Sequence, residues 1–450
     1  MSGLRLDGLR RAMEGVMASV LATCDANGIP NVSMISQVHY VDPERVALSY
    51  QFFNKTRRNV METRRATVLV TDPETLGHFR LALAYEGTET AGPLFESMKA
   101  KLAGIASHHG VEDVFRLLGS DVYRVLSVEA VPGPVVPLVT NRPSLLAATR
   151  RTCAALDACA DLDELLDCTT ACLDRDFGIG CSMVLMAGGE AGRLYAVASR
   201  GYPVTGVGAE VAPGEGVIGV AARENAPIRI GHMTREYRYG EALSDSARRS
   251  GLVADAPRRI AFPGLAAPRS QIALPIAEAG CVVGVLFAEA GEINCFGYEE
   301  EDALALVAGH LAARMALLRQ ETQEETPAEA MSPAPADGQL TVRYFRADQS
   351  VFLDRDYLIK GVAGAILWRL LREHLANGRN EFTTRELRLD PALRLPAHSE
   401  NLDARLILLR KRLDEREARL RIEKAGRGRF RLVAACSLAL EEPDAGEAAG

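Results

Sequence analysis

Long apolar runs are missing from this 450-residue chain. No stretch reaches the roughly 18 consecutive apolar residues of a membrane-spanning helix. The opening residues, MSGLRLDGLRRAMEGVMASV, hold no apolar core of a secretory signal. A cytoplasmic protein without membrane contact is therefore expected. Nine cysteines are scattered with neither a C-x-x-C pair nor a Cys/His cluster, so a structural zinc site is not indicated. Without a signal they read as free thiols of a reducing compartment. No phosphoacceptor domain is recognisable, and no catalytic acid or base stands out. His39 falls on an expected strand and reads as packed, and His108-His109 as solvated.

The chain is 48% hydrophobic and 25% charged, an ordinary composition, and its length suggests about three domains. The net charge of −7 is uneven. Residues 339–433 hold 21 Lys and Arg against 13 Asp and Glu, a surplus of eight, which leaves −15 on the rest. A basic module on an acidic body suits a nucleic-acid partner. Solvated arginine-rich helices would give the same count.

Within that module, Leu402, Leu406, Leu409 and Leu413 form one stripe of a helix. Ser399 precedes it as an N-cap. Asn401, Arg405, Leu408 and Arg412 flank the stripe and are free to face a partner. Residues 420–423 and 429–433 read as strands joined by AGRG, whose Gly426 and Gly428 tolerate positive φ. Upstream, 340–345 and 350–353 read as strands, 361–376 as a helix with Trp368 in the core, and 382–387 as a second helix. The LDARLILLRKRL helix and its G-x-G-aromatic hairpin (Gly426, Gly428, Phe430) resemble the C-terminal winged helix of response-regulator-type transcription factors. The resemblance implies that Asn401, Arg405, Lys411 and Arg412 approach DNA, with Arg427 at the wing tip. Glu400 and Leu408 depart from it, since basic residues are common there. A winged helix used for protein contact is the alternative.

The N-terminal part, about 1–131, reads as β-rich. Strands are expected at 16–24, 31–40, 45–51, 66–71, 79–90 and 121–131, with helices at 54–63 and 93–106. The segments LATCDANGIPNVSMIS, YVDPERVALSYQFFNKTRRNV and RRATVLVTDP resemble the FMN-binding split barrel of the pyridoxamine 5'-phosphate oxidase superfamily. A flavin phosphate needs helix-start N–H groups, a cation and hydroxyls. By that resemblance Ser33, Ser49, Gln51, Lys55, Thr56 and Asn59 line FMN. The competing reading of KTRRN is an ordinary basic helix.

A proline-rich linker (132–144) leads to residues 145–320. Helices are expected over 145–175, broken near Asp161, and strands at 181–187, 194–200, 271–276 and 282–288. A long loop covers 231–269 and a long helix 296–319. The G-x-G-x-x-G of Gly214, Gly216 and Gly219 lacks the βαβ context of a dinucleotide site. The phrases PGEGVIGVAARENAPIRI, SQIALPIAEAGCVVGVLFAEA and FGYEEEDALALVAGHLAARMALL resemble a GAF domain. The resemblance implies an unknown small-molecule ligand, with the long loop over the pocket, and a homodimer through flanking helices. Cys168, Cys172 and Cys181 read as packed small hydrophobes or as redox thiols. His232 is a lone candidate haem ligand.

Residues 321–338 read as a flexible tether, 339–435 as the output module and 436–450 as a disordered acidic tail. The fold class expected is multidomain α+β: split β-barrel, GAF-type sensor, winged helix-turn-helix. The function expected is a one-component transcriptional regulator with flavin-type and small-molecule input. The alternative is an FMN-dependent oxidoreductase with regulatory GAF and winged-helix parts.

Overall fold

A computed structural model describes residues 4–14, 18–35, 38–50, 55–108, 117–136, 144–188, 192–231, 262–322, 339–393, 402–416, 419–426 and 428–443. It is a mixed α+β chain of three units, each with its own sheet or pair of sheets.

The first unit holds β1 (Ser19–Cys24), β2 (Pro30–Ile35), β3 (Val38–Asp42), β4 (Arg45–Tyr50), α1 (Lys55–Thr63), β5 (Arg65–Thr71), β6 (His78–Glu89), α2 (Pro93–His108) and β7 (Gly119–Val131). The strands form one antiparallel seven-stranded sheet in the order β2-β1-β5-β6-β7-β4-β3. The β1–β2 turn closes on Asp25, whose Oδ1 accepts from the N–H groups of Asn27 and Ile29, both at 2.9 Å. Gly28 supplies the left-handed residue there, at φ 79°. The single strand expected over 31–40 is two strands, β2 and β3. A 3-10 helix, Leu6–Met13, buries Leu6, Leu9, Ala12 and Met13 in this unit's core.

The central unit contains α3 (Leu145–Asp157), α4 (Leu162–Phe177), β8 (Cys181–Ala187), β9 (Leu194–Arg200), β10 (Glu210–Val211), α5 (Gly216–Glu224), β11 (Ile228–Ile230), β12 (Ser270–Glu278), β13 (Cys281–Ala290) and α6 (Tyr298–Thr322). Its antiparallel sheet runs β10-β9-β8-β13-β12-β11. The expected helix break falls at Asp161, which caps α4 by accepting from the Glu164 N–H at 3.0 Å. Strand alternation separates two apolar faces. Val184, Leu274 and Leu286 pack with Leu165 of α4 and Leu304 and Leu311 of α6. Met183, Leu185, Val285 and Phe287 face Val217, Ile218 and Ala221 of α5.

The third unit runs β14 (Gln339–Phe345), β15 (Ser350–Leu353), β16 (Asp356–Ile359), α7 (Val362–Asn377), β17 (Glu381–Thr383), α8 (Thr384–Leu389), α9 (Leu402–Arg416), β18 (Leu420–Gly426), β19 (Arg429–Ala434) and β20 (Ser437–Glu441). Its sheets are β16-β15-β14-β20 and β17-β19-β18. Trp368 is buried as expected and stacks on Tyr344, ring centroids 4.9 Å apart. Two expectations need correction. Residues 381–383 are a strand pairing with β19, and the helix starts only after the Thr383 cap. The tail expected to be disordered from 436 is, over Ser437–Glu441, a strand parallel to β14. That pairing satisfies backbone groups the acidic composition had suggested were solvated.

Candidate functional site

The leucine stripe of α9 behaves as its spacing requires: Leu402, Leu406, Leu409 and Leu413 are all buried in the third unit's core. The flank does not face solvent. Ala404 and Ile407 instead join the helical core of the central unit. Burying a side chain the size of Ile407 contributes roughly 1.5–3 kcal/mol. The basic residues follow the same direction. Lys411 Nζ lies 2.6 Å from Asp167 Oδ1 on α4, and donates to the Val197 carbonyl at 3.2 Å. Arg410 pairs with Asp163 of the same helix. The Arg405 guanidinium is buried 3.9 Å from the centroid of the Tyr195 ring on β9. Lys424 of the hairpin pairs with Asp161, the α4 cap. Thr205 and Glu415 hydrogen-bond across the same seam.

Of the residues expected at DNA, Arg405 and Lys411 are thus occupied by the central unit. Arg412 is buried in its own unit, donating to the Leu358 carbonyl at 3.3 Å and to Glu415 at 2.8 Å. Asn401 and Arg427 lie outside the described residues.

In the N-terminal unit two of the six expected residues, Ser33 and Thr56, come together. Ser33 Oγ is 3.1 Å from Thr56 Oγ1, which also accepts from Asn31 Nδ2 at 2.9 Å. Asn59 is buried and donates to Thr23 Oγ1 at 3.2 Å. Lys55 is exposed at the start of α1. Ser49 sits on β4 opposite Ser120. Gln51 lies outside the described residues. Asn31 and Thr23 were missed, although their places on the β1–β2 hairpin were read correctly. Arg57 turns to the other side of α1. It pairs with Asp121, donates to Thr88 at 3.2 Å, and lies 3.5 Å from the Tyr50 ring centroid.

The central sheet holds an acid that sequence reading passed over. Glu289 lies on the α5 face, 3% exposed, accepting from the Leu265 N–H at 2.7 Å and from Gln271 Nε2 at 3.0 Å. Burial pushes its carboxyl up, and these two donors only partly offset it. Burial and the nearby Glu289 carboxylate also push the Tyr202 hydroxyl up. The one sequence signal was a single acid inside the apolar run CVVGVLFAEA.

Cys168 and Cys172 are 3.7 Å apart, and burial pushes the Cys172 thiol up to about 11, which leaves it protonated near neutral pH. Cys181 is likewise raised by burial. His39 is half-buried, edge-on to Tyr298, and desolvation holds its pKa well below the usual value. His109 and His232 lie outside the described residues, as do residues 232–261 of the expected long loop. Among the described residues there is no metal-binding cluster, and no helix is long and apolar enough to cross a membrane.

No family model and no curated protein matches the chain. Solved structures that resemble parts of it include an FMN-binding protein from Syntrophomonas wolfei, with 19% identity and a TM-score of 0.24 over 28% of this chain and 86% of that one. The GAF domain of an Acinetobacter phosphoenolpyruvate-protein phosphotransferase has 17% identity and a TM-score of 0.31, covering 40% and 97% of the two chains. A free methionine-R-sulfoxide reductase from Neisseria meningitidis has 20% identity and a TM-score of 0.31, covering 39% and 91%. Scores this low carry no function across.

Proposed function

We propose that the chain is a ligand-responsive transcriptional regulator whose winged-helix output is held closed by a GAF-type sensor. Support for the output comes from the order of elements: three strands, a helix, a short strand, two helices and a hairpin, with α9 as recognition helix and β18–β19 as wing. The observation that carries the reading is the pairing of Arg410 and Lys411 with Asp163 and Asp167. A helix engaged this way has its phosphate-binding charges neutralised inside the molecule. Effector binding on the α5 face, beside Glu289 and Tyr202, would shift the balance only by favouring one arrangement over the other. Exposed Leu306 and Leu317, three turns apart on α6, support pairing with a second copy of the chain. The test is the affinity of the full chain for duplex DNA across a salt series. A variant with both α4 carboxylates neutralised should bind tighter and with a steeper salt slope.

The second reading, a flavin-dependent oxidoreductase, rests on the Ser33–Thr56 hydroxyl pair and on Lys55 at the start of α1. Those groups and the first-turn N–H groups fit a phosphate. Arg57 does not, because Asp121 already neutralises it. Bound FMN would supply redox chemistry of its own. This chain's residues would hold its phosphate. A visible absorption spectrum of the purified protein tests it: flavin bands support FMN, and a featureless spectrum sinks a tightly held one.

A further inference from the structure

A cleft of about 300 Å3 opens where the sensor and output units meet, a volume at the small end for an organic ligand. Its apolar walls are Leu162 of α4, Leu318 of α6, Leu406 and Ile407 of α9, and Ile422 and Phe430 of the hairpin. Most charged groups around it are already matched. Asp161 pairs with Lys424, Asp163 with Arg410, and Arg319 grips Glu278 through two contacts at 2.9 and 2.7 Å. Glu423 is an exposed rim residue. Asp403 differs. It lines the cleft, makes no side-chain hydrogen bond among the described residues, and has its paired cation, Arg388, only at 3.8 Å. It stands in the first turn of α9, where the helix N-terminus favours an anion. Burial pushes this carboxyl up, against the pull of Arg388 and Arg319.

A partly buried carboxylate lacking a donor is a costly group that a ligand can satisfy. Of the acids around the cleft Asp161 and Asp163 are already paired, so Asp403 alone does not offer the oxygen set of a hard metal ion. An anion is disfavoured too, since Arg319, Arg410, Lys424 and Arg429 are all engaged. We propose that this cleft binds a small organic amine with an apolar body, its ammonium on Asp403 and its body against Leu162, Leu406, Ile407 and Phe430. Such a ligand touches α4, α9 and the hairpin at once, and so holds the two units together. The binding claim is independent of DNA. The consequence for DNA rests on the function proposed above.

The test uses the full chain with carbon-13-labelled isoleucine methyls, titrated with 2-phenylethylamine and with the uncharged 2-phenylethanol. The amine should shift the Ile407 and Ile422 methyls saturably, with the alcohol at least about ten-fold weaker, the scale of one charge-assisted hydrogen bond. Asp403→Asn should remove that preference while leaving the alcohol's affinity unchanged. No saturable shift at these methyls overturns the proposal, as does equal affinity for amine and alcohol. So does an Asp403→Asn protein with a native methyl spectrum that keeps the amine preference. Should that variant fail to fold, the wild-type comparison of amine with alcohol still decides. Saturating amine should also weaken duplex binding. Amine that binds without that effect retains the site and overturns only its link to DNA.

Discussion

Lys411 of α9 and Asp167 of α4 meet at 2.6 Å although 244 residues separate them in the chain. With Arg410 on Asp163, this contact ties the basic stretch of α9 to an acidic helix of another unit. The interface is charge-matched, and its two arginine and lysine heads are only about a fifth exposed.

Replacing both Asp163 and Asp167 by Asn should loosen this seam without touching α9 itself. Each pair is partly buried, so the combined loss is on the order of 1–2 kcal/mol. Duplex affinity measured by fluorescence anisotropy should rise about ten-fold at low salt. An unchanged affinity would mean that α9 does not exchange between the sensor and DNA.

Glu14 joins the N-terminal and central units. Arg229 donates to it at 2.6 Å and to Glu301 at 2.9 Å, while Lys101 lies 3.3 Å away. Glu14 Oε1 accepts from the Tyr298 N–H at 2.7 Å. Burial alone would raise the Glu14 carboxyl, but Lys101 and Arg229 overcome that and hold it below its usual range. The lowered folded pKa gives stability that is present above pH ~4.3 and lost as pH falls through the folded value. Glu14→Gln should cost about 1–3 kcal/mol at neutral pH, because Lys101 loses its carboxylate while Arg229 keeps Glu301. Thermal unfolding of the variant should also lose part of the acid dependence. A neutral-pH melting temperature equal to wild type would refute this.

Glu289 should show the opposite sign. Its folded pKa is raised, so the folded state binds the extra proton, and stability falls as pH rises from ~4.3 through the raised value. Glu289→Gln removes that titration. Its melting temperature should lose that part of the pH slope, and at neutral pH should match or exceed wild type. A variant that keeps the wild-type slope would assign it to another group.

Asn59→Ala takes the donor from the buried Thr23 hydroxyl and leaves space under α1. A loss of about 1–3 kcal/mol is expected. Denaturant titration of wild type and variant measures it. A change below about 0.5 kcal/mol, the usual range of a surface substitution, would mean that the hydroxyl finds another partner.

Much of this architecture was legible from local pattern. The α9 stripe, the two glycines of its hairpin and the helix break at Asp161 each follow from spacing and backbone chemistry within a few residues. Gly426 and Gly428 do adopt positive φ, at 130° and 64°. β16 and β20 were missed because four or five residues of mixed polarity look like loop or tail until a neighbouring strand pairs with them. The Glu14–Arg229 cluster was illegible for a different reason. Its members lie on four distant segments, and only tertiary packing makes them one group. Of the flank read as partner-facing, Arg405 does meet the central unit, whereas Leu408 and Arg412 are buried in the third unit itself. Periodicity alone had no means of showing that the chain supplies a partner itself.

The strand at Ser437–Glu441 has a mechanical consequence. It runs parallel to β14, with Gln339 beside Ser437 and Arg343 beside Glu441. Tension applied between the start of β14 and the end of β20 pulls the two strands along their length in opposite directions. Their hydrogen bonds then bear the load together instead of opening one at a time. A pull between the 323–338 segment and the end of β20 therefore meets a shear clamp at the entrance of the third unit. The seam between α9 and α4 carries no such clamp, so it should yield first and let the unit swing away intact.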